Sequence, residues 1–245
     1  FGIVSSLFYG TIQSALFTLL AVYATSMNFT ILEISIVTFL LAVSGAIAQF
    51  PIGKISDMYD RRKVIVFSTF GAAMFSIFAI LVSRQMYLPG SLATSKTWFY
   101  IFFILFSFCS LPMFSLILAH TNDYISKDKF VAAGAGLQFA FGLGAMSGPF
   151  LCSIFMDLVG SNGFFVFLFF FHCIIGFFGI YRMKVRQSVD NPDSQFVAMP
   201  QTITPAGIEL NPTTEHIEEP YSDKVKEILE RKGVKYKKDE DEMKA

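Results

Sequence analysis

The sequence predicts an all-α membrane protein with six transmembrane helices and a disordered cytoplasmic tail, and two observations favour this class. The first is composition: of the 245 residues, 53% are hydrophobic and only 16% are charged, whereas soluble proteins carry about 25% charge. The mean hydropathy is +0.55. The second is distribution, because apolar runs of helix length fill the chain up to residue 183 and then stop. We therefore predict a membrane region over 1–183.

Each predicted span has the length that a membrane helix requires. A hydrocarbon core takes about 20 apolar residues in a helix that rises about 1.5 Å per residue. The continuous runs do not fit a transmembrane β-barrel, whose strands alternate over about ten residues. The predicted spans cover residues 2–24, 31–53, 64–83, 98–119, 130–156 and 163–181.

The three cysteines lie inside the apolar runs, without CxxC spacing or clustered histidines. We interpret Cys109, Cys152 and Cys173 as small packing residues, and we predict neither a metal site nor a cofactor. The chain also lacks an HExxH motif and a nucleophile paired with histidine. A membrane enzyme is therefore the weakest of the functional hypotheses.

The cations predict the orientation of the spans. Nine lie in the second and fourth loops or directly after the sixth span, and two lie in the other loops. Because cytoplasmic loops carry an excess of Lys and Arg, both ends of the chain are predicted to be cytoplasmic. The formal net charge of zero gives no indication of a nucleic-acid partner. The nine cations are Lys54, Arg61, Arg62, Lys63, Lys127, Lys129, Arg182, Lys184 and Arg186.

The composition changes after residue 183. Residues 184–220 are rich in proline and polar residues and have no apolar periodicity, which predicts a disordered linker. Within 221–245, Ser222 is a candidate N-cap and Gly233 a candidate stop for one short amphipathic helix. Two roles stay open for this tail: a solubilising segment, or a segment that docks on a partner or on the membrane surface.

A charged loop with the sequence GKISDMYDRRK separates spans two and three. Gly53 permits the close approach of a neighbouring backbone. Asp57 needs a donor at the membrane edge, either Arg61 of its own loop or the free N–H groups at another helix's N-terminus. Arg62 and Lys63 are expected to meet anionic headgroups. The alternative is a positive-inside loop with no further role.

This loop resembles the signature of the major facilitator superfamily, in which a glycine is followed by an aspartate and then by basic residues, between helices two and three and again between helices eight and nine. With AQFPI before it, the loop looks most like the second copy in sugar- and drug-permease relatives of the bacterial YcaD-like group. Met58 and Asp60 depart from the pattern, and Asp60 could pair with Arg61 or Lys63. The resemblance implies a conformational latch formed by Gly53, Asp57, Asp60, Arg61, Arg62 and Lys63.

Span five carries a second point of resemblance. Small residues recur there at intervals of four, which lets another helix pack closely. Pro149 removes one backbone hydrogen bond and favours a bend. A similar glycine–proline pattern occurs in helix five of the superfamily, whose pseudo-symmetric counterpart is helix eleven. Plain close packing is the alternative. The residues assigned to packing and bending are Gly136, Gly144, Gly148 and Pro149.

Together these matches imply that the chain resembles helices seven to twelve, one six-helix half of the superfamily fold. The resemblance therefore implies that an N-terminal half is missing, and it implies a plasma (bacterial inner) membrane. The start at Phe1, without a basic n-region, predicts that the natural N-terminus is missing and that the first span is not a signal peptide. The implied function is transport of a small solute by alternating access, with the solute, membrane lipids and the missing half as partners. The alternative is a non-transporting membrane scaffold or sensor that recruits a partner through its tail.

In the superfamily, the first, second, fourth and fifth helices of each half face the central cavity. Polar residues on the matching spans give four solute-contact candidates, Tyr9, Gln13, Gln49 and Gln138. A glutamine amide in hydrocarbon needs hydrogen-bonding partners. By contrast, Ser44, Ser107 and Ser110 are expected to bond back to the preceding turn. His172, on the sixth span, is expected to bond a neighbouring backbone group.

Overall fold

The computed structural model describes residues 1–86, 92–126 and 129–185, together with Phe196 and Ala198. Within these ranges all regular secondary structure is helical. The short amphipathic helix predicted within 221–245, and most of the linker predicted over 184–220, lie outside the described residues. The helices are α1 (Gly2–Ser26), α2 (Ile31–Met58), α3 (Arg61–Gln85), α4 (Leu92–Ser110), α5 (Met113–Asn122), α6 (Phe130–Val159) and α7 (Gly163–Val185).

Six spans in the described structure are long and apolar enough to cross a membrane, with α4 and α5 together forming the fourth. Polar side chains cap the starts of α2 and α3. At the start of α2, the Thr30 hydroxyl accepts from the Glu33 N–H, and the Glu33 carboxylate accepts from the Thr30 N–H. Asp60 caps α3 through the Arg62 N–H. Only Tyr59 and Asp60 separate α2 from α3, so the charged loop is largely helical.

The fourth span differs from the single helix expected over 98–119. It is divided by a turn at Leu111 and Pro112, because the proline ring carries no N–H to continue the helical ladder. The turn is held by neighbouring helices. The Tyr9 hydroxyl of α1 donates to the Leu111 carbonyl at 3.1 Å, and the Leu111 side chain packs directly on Gly45 of α2. Through Leu111, the turn therefore contacts both α1 and α2.

Contacts between helix ends show that successive spans alternate in direction. Phe1, before α1, stacks on Phe178 near the end of α7, and Arg61 at the start of α3 pairs with Asp123 at the end of α5. The starts of α1, α3 and α6 therefore lie with the ends of α2, α5 and α7. We call this the Asp57 end of the bundle. Within the bundle, α1 packs most extensively on α6, α3 on α7 and α4, and α2 on α4.

The opposite end is held by an ion pair and by aromatic packing. Lys96 Nζ lies 2.7 Å from Glu33 Oε1 and 4.8 Å from the centroid of the Phe29 ring. Tyr23 stacks on Phe164, with ring centroids 5.1 Å apart. These contacts join α1, α2, α4 and α7 at the end where the sequence places few cations.

Two helices, α2 and α6, are the least buried of the six spans. Of the most apolar stretches of α2 and α6, 28% and 22% of the residues are buried, against at least 44% in the other four spans. The exposed residues recur at helical spacing, so each set forms one stripe along its helix. The stripes consist of Ile36, Phe39, Val43, Ile47 and Phe50 on α2, and of Phe139, Leu143, Met146, Phe150 and Ile154 on α6.

Candidate functional site: the charged loop and the polar residues of the spans

The Asp57 carboxylate lies at the end of α2 and is held by two donors of this chain. Asp57 Oδ1 accepts from Arg61 Nη2 at 2.8 Å, one helical turn further along. The same oxygen accepts from the backbone N–H of Phe196, also at 2.8 Å. The sequence predicted the Arg61 contact as one of two options, whereas it located no partner in the tail.

Arg61 links three elements of the Asp57 end. It is only 7% exposed, and its Nε lies 3.5 Å from Asp123 Oδ2 while its Nη2 binds Asp57. Asp123 is separated from Arg61 by two spans of sequence, so no local pattern could have identified this pair. Its position at the end of a span, on the side that carries the cations, was the one available signal.

Asp60 pairs with Arg62, a residue that the sequence did not propose for it. Its two carboxylate oxygens receive Arg62 Nε at 3.1 Å and Arg62 Nη2 at 2.8 Å. These hydrogen bonds lower the pKa of Asp60, so the carboxylate remains ionised at neutral pH. Arg62 is buried and paired with Asp60, whereas Lys63 is exposed; the expectation that both meet anionic headgroups stays a prediction. Of the two aspartates, Asp57 is therefore the one that accepts from a segment beyond the loop.

Gly53 forms a notch one turn before Asp57. The ring of Phe196 occupies this notch: a Cβ built on Gly53 would overlap the ring and lie 2.6 Å from its Cε1. The ring is partly buried and packs against the hydrophobic core. Gly53 thus allows close approach, as the sequence indicated, and in this structure the approaching group is an aromatic ring of the same chain.

The small residues of α6 divide into two groups. A Cβ on Gly144 would overlap the Leu7 carbonyl oxygen, and a Cβ on Gly148 would overlap the Thr11 carbonyl oxygen, so α1 and α6 touch backbone to backbone there. Among the described residues, no atom would lie within 4 Å of a Cβ on Gly136, so this glycine makes no close contact with another described helix of this chain. The helix continues without interruption through Pro149.

The four solute-contact candidates have different environments. Tyr9 is fully buried, and its hydroxyl is used on the Leu111 carbonyl inside the bundle. Gln13 is 2% exposed. Gln49 and Gln138 are half-buried, and the buried Oε1 of each has no hydrogen-bond donor among the described residues. Gln49 and Gln138 are therefore the candidates with an unused polar atom.

The serines and the histidine follow the sequence expectation with one exception. Ser44 donates to the Leu41 carbonyl and Ser107 to the Phe103 carbonyl, each within its own helix. His172 Nδ1 lies 2.7 Å from the Leu168 carbonyl, so this nitrogen carries the proton. Nε2 therefore accepts from the Ser110 hydroxyl at 3.0 Å. The expectation that Ser110 bonds the preceding turn was wrong, because it joins α4 to α7.

A cavity of about 530 Å³ opens at the Asp57 end, between the starts of α1 and α3 and the ends of α5 and α7. Arg62, His120 and Arg182 contribute its polar wall, and none of the four solute-contact candidates lines it. This cavity is therefore separate from the polar positions within the spans.

The family model described as Major Facilitator Superfamily matches residues 2–225. The chain belongs to the major facilitator superfamily. The match includes all six spans and the charged loop, so the predicted membership of the superfamily is confirmed. It also extends through Phe196.

Other members of the superfamily that resemble this chain are described as uncharacterized MFS-type transporters. One from Yersinia enterocolitica is 26% identical over 198 residues, which cover 81% of this chain and 47% of the relative. One from Yersinia pestis is 24% identical over 198 residues, which again cover 81% of this chain and 47% of the relative. One from Bacillus subtilis is 26% identical over 165 residues, or 65% of this chain and 38% of the relative. No solved structure gives a significant match. The chain spans about half the length of the curated relatives it matches.

Proposed function

We propose that this chain is the C-terminal six-helix half of a secondary transporter that moves a small solute by alternating access. The exposed apolar stripes of α2 and α6 carry the proposal. A six-helix bundle surrounded only by lipid has no reason to expose these two helices more than α3 and α7, whereas a second half packed on them would cover both stripes. Relatives of about twice the length leave room for such a half.

The solute is small and either neutral or amphipathic. Gln49 on α2 and Gln138 on α6 lie on the same two helices that carry the exposed stripes. A buried amide oxygen without a donor is unfavourable in an apolar environment by about 1–3 kcal/mol, and a donor group on a bound solute would relieve this. An uncharged solute with hydroxyl or amide N–H groups satisfies this requirement.

Replacing Gln138 by leucine is expected to weaken solute binding at least tenfold, because the substitution removes the acceptor and keeps the side-chain size. The measurement is uptake by the full-length protein in proteoliposomes, from a panel of monosaccharides and uncharged amphipathic drugs. Gln85→Leu is the matched control, since Gln85 is exposed at the end of α3. Equal KM values for the parent and both variants would remove Gln138 from the solute site.

The protein lies in a bacterial inner membrane with the Asp57 end in the cytoplasm. Lys54 and Lys63 are exposed at that end, where the anionic headgroups of the cytoplasmic leaflet would attract them. A green fluorescent protein fused after residue 185 is expected to fluoresce, and an alkaline phosphatase fused there is expected to be inactive. The reverse pattern would contradict this orientation.

A further inference from the structure

We propose that Phe196, which follows α7 in the sequence, docks in the notch between Gly53 and Asp57 and thereby competes with the second half of the transporter for Asp57. The docking itself stands on contacts within this chain. Its regulatory consequence rests on the proposed function, because only a transporter with a second half has a latch to be blocked. The tail would then be an internal regulator of the conformational cycle.

Two different groups of Phe196 contact two different groups of α2. The backbone N–H donates to Asp57 Oδ1 at 2.8 Å, a length typical of a hydrogen bond to an ionised acceptor. The aromatic ring fills the space above Gly53, where any Cβ would collide with it. Gly53 and Asp57 are four residues apart on one helix, so both groups lie on one face. A glycine followed by an acid at this spacing therefore binds an aromatic residue through its ring and its N–H together.

The connection to the bundle also favours docking within the chain. Phe196 follows the last residue of α7, Val185, by eleven positions, and α7 ends at the same end of the bundle as Gly53. A short connection keeps the effective concentration of the segment near the notch high. Weak contacts are then sufficient for a large docked population.

A docked tail and a closed latch exclude each other. A helix of the second half would have to approach Gly53 closely and direct its free N–H groups at Asp57. Phe196 already occupies the surface of Gly53, and Asp57 Oδ1 already accepts from both Phe196 and Arg61. The tail must therefore leave before the second half binds at this notch. Docking shifts the population towards the state in which the latch at Asp57 is open.

The test uses the full-length protein in lipid nanodiscs, with the native cysteines replaced and spin labels attached at Lys54→Cys and Ala198→Cys. Both positions are exposed, and they flank the notch and the docked residue. Double electron–electron resonance is expected to show one dominant short distance between the two spin labels in the parent protein. Gly53→Ala should reduce this population at least threefold, because the new Cβ collides with the ring. A parent without a short-distance population would overturn the proposal.

Two further variants separate docking from folding defects. Gly136→Ala is the same substitution on α6, at a glycine whose Cβ would contact no described atom of this chain, Phe196 included, and it should leave the distance between the two labels unchanged. Phe196→Ala lies outside the membrane helices and should release the tail, whereas Phe196→Tyr, which keeps the ring, should retain it. Unchanged distances in both Gly53→Ala and Phe196→Ala would overturn docking.

The uptake measurement keeps the two proposals distinguishable. If the labels report docking but proteoliposomes take up no solute of the panel, the proposed function fails and the docking stands. If uptake occurs and neither Gly53→Ala nor Phe196→Ala changes the label distance, the docking fails and the transporter stands. The latch is closed when the second half lies against Gly53 and Asp57. A spin label at Lys54→Cys and another on the second half are then close together, and this short distance gives the fraction of molecules with the latch closed. If docking is present, Phe196→Ala should at least double that fraction. An unchanged fraction would overturn the competition.

Discussion

Replacing Arg61 by alanine is expected to lower the free energy of unfolding by about 3 kcal/mol, the lower end of the range for breaking a buried ion pair. Arg61 is 7% exposed and lies between Asp57 and Asp123, whose side chains are 35% and 11% exposed. Its removal leaves the Asp123 carboxylate nearly buried beside an empty space. The partial exposure of Asp57 keeps the effect from being larger, because water can solvate that carboxylate.

The measurement is thermal or denaturant unfolding of the purified full-length protein, with Lys63→Ala as the control. Lys63 belongs to the same basic cluster but is exposed, and its removal should change the stability by no more than about 0.5 kcal/mol. Equal stabilities of Arg61→Ala and Lys63→Ala would show that the cluster acts only as a set of cytoplasmic charges. That outcome would favour the simpler interpretation of the loop.

Replacing Gly144 by alanine is expected to destabilise the protein by about 2 kcal/mol, within the range for overpacking a core. The added methyl group would overlap the Leu7 carbonyl oxygen, which is part of the α1 backbone and cannot rotate away. The two helices must separate, along the interface where α1 and α6 pack most extensively. The new steric conflict exceeds the gain of at most about 1 kcal/mol that alanine brings to a helix interior.

The same substitution at Gly136 should have the opposite sign. No described atom of this chain lies within 4 Å of a Cβ at that position, so in the 245-residue chain measured by itself only the helix-propensity gain of about 0.5–1 kcal/mol remains. Both glycines lie on α6, and the comparison of the two unfolding free energies therefore holds helix and chemistry constant. A Gly144→Ala variant as stable as Gly136→Ala would show that the described packing of α6 on α1 is wrong.

The membrane spans were predictable because bilayer thickness sets the length of an apolar helix, independent of tertiary contacts. The break in the fourth span was not. The sequence has prolines within three spans, and the helices continue through Pro51 and Pro149 but not through Pro112. What distinguishes Pro112 is its surroundings, since Tyr9 supplies a donor to the carbonyl beside it. This compensation depends on a helix about 100 residues away.

The charged loop shows the same division between local and distant causes. The contact of Asp57 with Arg61 follows from their four-residue spacing and was among the predicted options. The contacts of Arg61 with Asp123 and of Asp57 with Phe196 join segments far apart in sequence, and no local spacing predicted either pair. Of the two donors predicted for Asp57, Arg61 is observed, the N-terminus of another helix stays a prediction, and the N–H of Phe196 was not foreseen.

The central claim, that a second half covers α2 and α6, is tested most directly by photo-crosslinking in the full-length protein. Benzoylphenylalanine replaces Met146, 81% exposed on α6, and in a second variant Phe177, 63% exposed on α7. The proposal predicts that mass spectrometry finds protein adducts to the N-terminal half from position 146, and only lipid adducts from position 177. Lipid adducts alone from position 146 would contradict it.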